Sequence, residues 1–465
     1  MEILALVIVS FIVLLISIFF FRYSIGTFSL QRLSMISYLF YFHIIVLTYI
    51  GVIAVVTHLD TRFDIDFFAI TGAVSNESRL LGWYATLYTI VLLPIGMIIA
   101  NILFIGKMNA SPFIKEYQIK KMRPTFDIDK DEKILFSTLV LITIVATFSV
   151  AYVFFTIQSF PLIKMLSGAD ALELRQLRGT VKLGFGGVAA IRDMIALPLP
   201  PLLSYIAYIT YKNTNLNHYK LLFYYLVLLS ILILTYNLEK APVILYAISF
   251  IILQVFLGKT VGLSKLLFYA FIALILLMIV LSSVSGLDGI SALINQLIAR
   301  IFVAQTSAIF LAYEYFPQYH DFIGWAGVSR LFSSLLADPS VSSGRIIFEI
   351  FAPQSIADGT AGYMVGLFTA EAWALFGIWG VVLSPLWVGF FIQSIHLLII
   401  KLPKTSISLA TYFYVMMHWQ LTGGLVSFIY PIILFKFFIQ VFIIYLMAFM
   451  IKTIVLPVNK KEITQ

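Results

Sequence analysis

Uncharged apolar runs of about 18–25 residues recur along this chain, each long enough to cross the roughly 30 Å hydrocarbon core of a bilayer. In lipid every backbone amide and carbonyl must be satisfied within the protein, so such runs fold as helices. They fall at residues 3–21, 35–57, 81–105, 134–157, 193–211, 219–236, 241–257 and 265–285, then at 376–400, 407–423 and 437–457. The pattern predicts an all-α polytopic integral membrane protein with about eleven transmembrane helices, in a range of about ten to thirteen. Residues 301–316 are apolar enough to dip into the membrane, but Glu314 and the short length argue against a full span.

Composition excludes the other classes. Of the 465 residues, 61% are hydrophobic and 11% charged, with a mean hydropathy of +1.02. A soluble domain carries about 25% charged residues, so a water-soluble globule, a disordered chain and a nucleic-acid-binding module are all set aside. The absence of cysteine removes disulfides, thiolate metal sites and cysteine nucleophiles. The first apolar run lacks a basic leader and a small-residue cleavage site, and reads as a retained helix.

Loop charge sets the expected orientation. With the N-terminus outside, the connections 22–34, 106–133, 212–220, 258–265, 401–406 and 452–465 face the cytoplasm and hold 18 of the 30 Lys and Arg. The reverse orientation would export the basic 106–133 segment, against the positive-inside rule. The net charge of +8 then reflects basic loops beside anionic lipid head groups. One transmembrane domain over residues 1–465 is expected, with two long outer loops, 158–192 and 286–375, as its working parts. Span interiors are nearly free of ionisable groups, which disfavours an ion-coupled transporter.

The first long loop is basic, with Lys164, Arg175, Arg178, Lys182 and Arg192 against Asp170 and Glu173. Residues 170–179 read as a short helix stopped by Gly179, with Arg175 and Arg178 on one face. Gly184, Gly186 and Gly187 follow and allow close backbone approach to a ligand. Paired guanidinium forks beside open backbone suit a phosphate or diphosphate. The competing reading is that these arginines snorkel to lipid phosphates.

The second long loop is acidic and aromatic. It holds Glu314, Asp321, Glu349 and Glu371 with Arg300, Arg330 and Arg345, and also His320, Tyr313, Tyr315, Phe316, Tyr319, Phe322 and Trp325. Carboxylates and histidine are the usual bases for a hydroxyl nucleophile. Glu371, Glu314 and His320 stand out because each lies within or beside apolar sequence. The segment 359–380 runs from a small-residue turn into an apolar helix bearing Glu371, then Phe-Gly-x-x-Gly opens a span, with Gly377 and Gly380 placed for close helix approach. The alternative role for Glu371 is to pair with a loop arginine such as Arg345. His43, His396 and His418 lie in apolar spans and read as interhelical hydrogen-bond partners. No histidine pair has zinc-ligand spacing, and the Asp-x-Asp pairs at 64–66 and 127–129 lie outside both long loops, so no metal or other cofactor is expected.

Taken together, the spans, the two long loops, the arginines in both and the 359–380 passage resemble the Wzy-type polymerases of O-antigen and related repeat-unit polysaccharides. The likeness is architectural over nearly the whole chain. Arg175 and Gly186 meet an Arg-x10-Gly pattern of that family, whereas Arg345 and Arg330 have Ile356 and Val341 at that spacing.

The resemblance implies a bacterial inner-membrane glycosyltransferase with a periplasmic active site. It would transfer a growing glycan from an undecaprenyl-diphosphate donor to the next lipid-linked repeat unit. A chain-length regulator protein is a further expected partner, besides membrane lipid, and no nucleic acid is expected. The catalytic candidates are Glu371, His320 and Glu314. The diphosphate candidates are Arg175, Arg178, Lys182, Arg300, Arg345 and Gly186. Two alternatives stand beside it: an O-antigen ligase, which shares the architecture but takes lipid A core as acceptor, and a lipid-linked oligosaccharide flippase, which would call for evenly spaced helices, short loops and a charged central cavity that the sequence does not show.

Overall fold

The computed structural model describes residues 2–26, 33–62, 72–125, 131–157, 160–237, 240–257, 290–337, 341–357, 362–364 and 366–455. Among these residues there is no strand. Nine of their helices are long and apolar enough to cross a membrane: Ile3–Ile25, Met35–Val56, Asn76–Ile105, Glu132–Thr156, Ala189–Thr214, Asn217–Leu234, Ser291–Tyr315, Phe368–Lys401 and Leu434–Thr453. The chain is an all-α polytopic membrane protein.

One expected span ends differently, and a helix enters where a loop was expected. Residues 265–285 lie outside the described set, as do the two Asp-x-Asp pairs. The 241–257 run is the 17-residue helix Lys240–Phe256, as expected. The 407–423 run gives Ser406–His418, after which the chain turns extended at Gln420 and enters a 3₁₀ turn at Leu421–Gly423. In the second long loop, by contrast, Ser291–Tyr315 is one helical stretch of 25 residues. Glu314 does not prevent this, since it sits in the final turn, where a carboxylate can reach polar partners.

The spans bury their few polar groups locally. Thr86, Thr89 and Thr138 each donate to the carbonyl four residues back, at 2.8, 2.7 and 2.6 Å. Such back-bonding satisfies a hydroxyl in an apolar setting without a second helix. Ser75 caps the Asn76–Ile105 helix by accepting from the Ser78 amide, and Gly106 ends it at φ +67°.

The chain folds into two compact units. The first comprises Met1–Gln118, Phe250–Lys401 and Met416–Pro431. Its centre is the crossing of Asn76–Ile105 with the second half of Phe368–Lys401. A Cβ on Gly96 would overlap the Leu386 carbonyl, and one on Gly389 would overlap the Leu93 carbonyl, so the two backbones touch. Small residues at such a crossing let helices gain dispersion contact where lipid offers no hydrophobic drive. Gln393 donates to Asn101 at 2.7 Å nearby. Ile3–Ile25 joins through Ser17, which donates to the Ile90 carbonyl at 2.6 Å, and through Trp83, which donates to Ser10 at 2.8 Å.

The second unit comprises Ile119–Ser249, Leu402–Val415 and Ile432–Gln465. Here Tyr205 shares a 2.7 Å hydrogen bond with Ser249 and sets its ring edge-on to Phe413. Tyr414 stacks on Phe437, with centroids 4.8 Å apart.

Candidate active site

The site grows from one broken helix in the first unit. Gly377 holds φ +57° and ψ −139° inside Phe368–Lys401, dividing it into a short helix and a long span. Only glycine adopts that conformation readily. The corner is sharp. Along an unbroken helix Ala372 and Gly380 would stand about 12 Å apart, yet a Cβ on Gly380 would overlap the Ala372 carbonyl oxygen. The two glycines therefore serve the chain's own corner, where the sequence had them serving the approach of a separate helix.

Residues 313–328 wrap that corner. The Ala374 carbonyl, one turn before the break, accepts from the Ile323 amide at 3.0 Å. Trp373 donates through Nε1 to the Phe316 carbonyl at 3.0 Å and stacks on Tyr313, with centroids 4.6 Å apart. Phe322 meets the Trp373 ring edge-on at 5.5 Å, and Trp325 packs against Phe376 at 5.0 Å. These contacts fix the backbone while leaving Tyr319, Phe322 and Trp325 63%, 40% and 51% exposed. The result is an open aromatic ledge.

His320 stands on this ledge, exposed, with its ring 5.4 Å from that of Phe316. Its Nδ1 lies 2.7 Å from the Asp321 carbonyl oxygen. A carbonyl can only accept, so Nδ1 is the donor in this contact, and a ring with one proton would then keep its lone pair on Nε2. This is the tautomer a general base requires.

Glu371 is half-buried in the first turn of the short helix. Its Oε2 accepts from the Val426 amide at 2.8 Å, and the carboxylate also takes the Leu425 amide. Gly424, at φ +89°, presses against the same carboxylate. The side chain thus holds the 424–426 turn. It does not pair with Arg345, whose Nε donates instead to Glu349 at 2.6 Å, one turn along its own helix.

Glu314 is likewise committed. Its Oε2 accepts from both the amide and the hydroxyl of Ser75, at 3.0 and 2.7 Å, so it ties the end of Ser291–Tyr315 to the cap of Asn76–Ile105. Arg300 lies exposed in a π-helical segment, Ala299–Val303, of the same span. Such widened turns occur often at functional positions.

The first-loop candidates belong to the second unit. The helix there runs Ala171–Leu183, capped by Asp170, which accepts from the Glu173 amide at 2.7 Å. It passes through Gly179 and ends at Gly184, because an internal glycine costs a helix only about 1 kcal/mol. Arg175, Arg178 and Lys182 all lie on it, and Arg178 is half-buried. Gly186 is exposed, and the Val188 amide beyond it donates to Tyr152 at 2.9 Å. Arg192 is paired with Asp193 at 2.7 Å and lies 4.8 Å over the Phe185 ring.

Two features escaped the sequence reading. Arg79 and Asp60 form a buried pair, 2% and 0% exposed, in which Nη1 donates to Oδ1 at 2.9 Å and Nη2 to Oδ2 at 3.0 Å. Arg79 also donates to the Val55 carbonyl. Gly424 is the other, and the Gly-Gly pair within an apolar run was its signal. His43 needs correcting too: its two ring nitrogens are buried without a hydrogen-bond partner among the described residues, and the ring sits edge-on to Tyr38 and Phe42 at 5.8 and 5.3 Å. Comparison of the chain with protein-family models, with curated proteins and with solved structures finds no match.

Proposed function

We propose that this protein is a polysaccharide polymerase of the bacterial inner membrane, acting on lipid-linked repeat units at the periplasmic face. The observation that carries the reading is His320 on the aromatic ledge. An exposed imidazole with Nε2 free as acceptor, beside exposed Tyr319, Phe322 and Trp325, suits a sugar hydroxyl over apolar rings.

In this reading the acceptor hydroxyl attacks the anomeric carbon of the donor glycan. His320 Nε2 takes the hydroxyl proton as the new glycosidic bond forms. The bond to the undecaprenyl diphosphate breaks, and the lipid diphosphate leaves with the electron pair. Glu371 is the positioning residue, since its carboxylate holds the 424–426 turn. Glu314 recedes as a base because Ser75 occupies it. Within the first unit Arg300 remains the proposed diphosphate contact, with Arg345 diverted to Glu349, and within the second unit Arg175, Arg178, Lys182 and Gly186 remain candidates for the same group.

Deletion of the gene in its bacterium tests the reaction class. Polymerase loss should leave lipid A core bearing one repeat unit and no longer ladder. Bare core would assign the ligase reaction instead, and an unchanged ladder would overturn the proposal.

A further inference from the structure

A groove of about 510 Å³ opens at the last turns of the Ile3–Ile25 helix. Ligand sites span about 300–1,000 Å³. Its lining changes character along its length. Leu15, Ile18 and Phe19 form an apolar end, and Arg22, Asn109 and Ser111 a polar one. Positions 15, 18, 19 and 22 share one face of a helix. Little of that helix is buried in the protein, so the apolar end opens toward lipid.

The polar end is built from fixed backbone. The Ala110 amide donates to the Ser24 carbonyl at 2.9 Å. Asn101 donates to the Ser24 and Met108 carbonyls, each at 2.9 Å. Tyr23 donates to the Met108 sulfur at 3.4 Å. A Cβ on Gly26, at φ +77°, would overlap Ser111, so glycine is required for this approach.

The electrostatics have one sign. Arg22 is exposed and lines the groove, and no carboxylate does among the described residues. Ser111 opens the nine-residue helix Ser111–Ile119, whose amino end adds a partial positive charge. A soluble anion would leave the apolar wall unused, and an uncharged lipid would leave the cationic end unmatched.

We propose that this groove binds an anionic glycerophospholipid, with its phosphate at Arg22 and Ser111 and one acyl chain along Leu15, Ile18 and Phe19. The assignment is independent of the reaction proposed above.

Native mass spectrometry of the full-length protein in detergent tests it, with phosphatidylglycerol, phosphatidylcholine and undecaprenyl phosphate titrated separately. Phosphatidylglycerol should survive collisional activation that strips phosphatidylcholine. Arg22→Gln should reduce its retention about fivefold, as expected for one arginine at a lipid surface. Arg330→Gln, an exposed arginine outside the groove, should leave it unchanged. Ser111→Asp, which adds a carboxylate at the polar end, should act like Arg22→Gln and serves if that variant fails to fold. Equal retention of the two glycerophospholipids, full retention in folded Arg22→Gln or Ser111→Asp, or stronger retention of undecaprenyl phosphate would each overturn the proposal.

Discussion

The carboxylate of Glu371 fills the space that any side chain at position 424 would need. A Cβ on Gly424 would fall against Glu371 Oε2, and the Gly424 backbone itself holds φ +89°. Leu425 and Val426 then present their amides to that carboxylate. One acid and one glycine therefore define a turn between two parts of the chain some fifty residues apart in sequence.

Gly424→Ala should consequently destabilise the protein by about 2 kcal/mol or more, combining backbone strain with displacement of the carboxylate. Thermal unfolding in detergent measures this. In a Glu371→Ala background the same substitution should cost less, because the steric part is gone and only the strain remains. Equal costs in both backgrounds would remove the contact from the account.

Exchanges at Glu371 separate holding a turn from moving a proton. Glu371→Gln keeps an oxygen that accepts from both amides, so folding and most of the polymer ladder should persist. Glu371→Ala leaves two buried amides unsatisfied, at about 1–3 kcal/mol each, and should lower thermal stability and polymer together. Collapse of the ladder in a stable Glu371→Gln protein would return the base to Glu371.

His320 gives the reciprocal result. Its ring is exposed, so His320→Gln should change thermal stability by less than about 0.5 kcal/mol. Polymer formation should fall by about 10²–10⁴-fold, the contribution of a positioned base. Quantified chain ladders at matched protein levels are the measurement, and an unchanged ladder would exclude His320.

Apolar run length made the fold class legible, because lipid permits so few backbone arrangements. The corner at Gly377 was half legible: Phe-Gly-x-x-Gly marked where a span begins, but not that Gly380 meets the chain's own Ala372 carbonyl. The helix at 291–315 was missed because Glu314 counted against it, and composition cannot tell a terminal carboxylate from a central one. Glu371 was legible as an acid in an apolar helix, whereas its partners were not. They are backbone amides, which every residue but proline carries, so no residue type advertises them. The Gly96–Gly389 crossing escaped for a related reason, since a glycine contact between distant helices has no local pattern.

The Asp60–Arg79 pair supplies the sharpest stability test. Both side chains are buried, and the guanidinium also bonds the Val55 carbonyl, so the pair joins the end of Met35–Val56 to the start of Asn76–Ile105. Separating two such charges from water is costly, and their mutual geometry offsets that cost only while both are present. Arg79→Met should therefore cost about 3–5 kcal/mol, because Asp60 is left charged, buried and unpaired. Asp60→Leu should cost a similar amount by stranding Arg79. The double exchange removes both charges and should recover most of the loss, since apolar replacement of a whole buried pair is often neutral. Unfolding temperatures of the four proteins in one detergent give the coupling directly. Additive losses in the double variant would mean that the two groups contribute independently and that the ion pair does not hold these helices together.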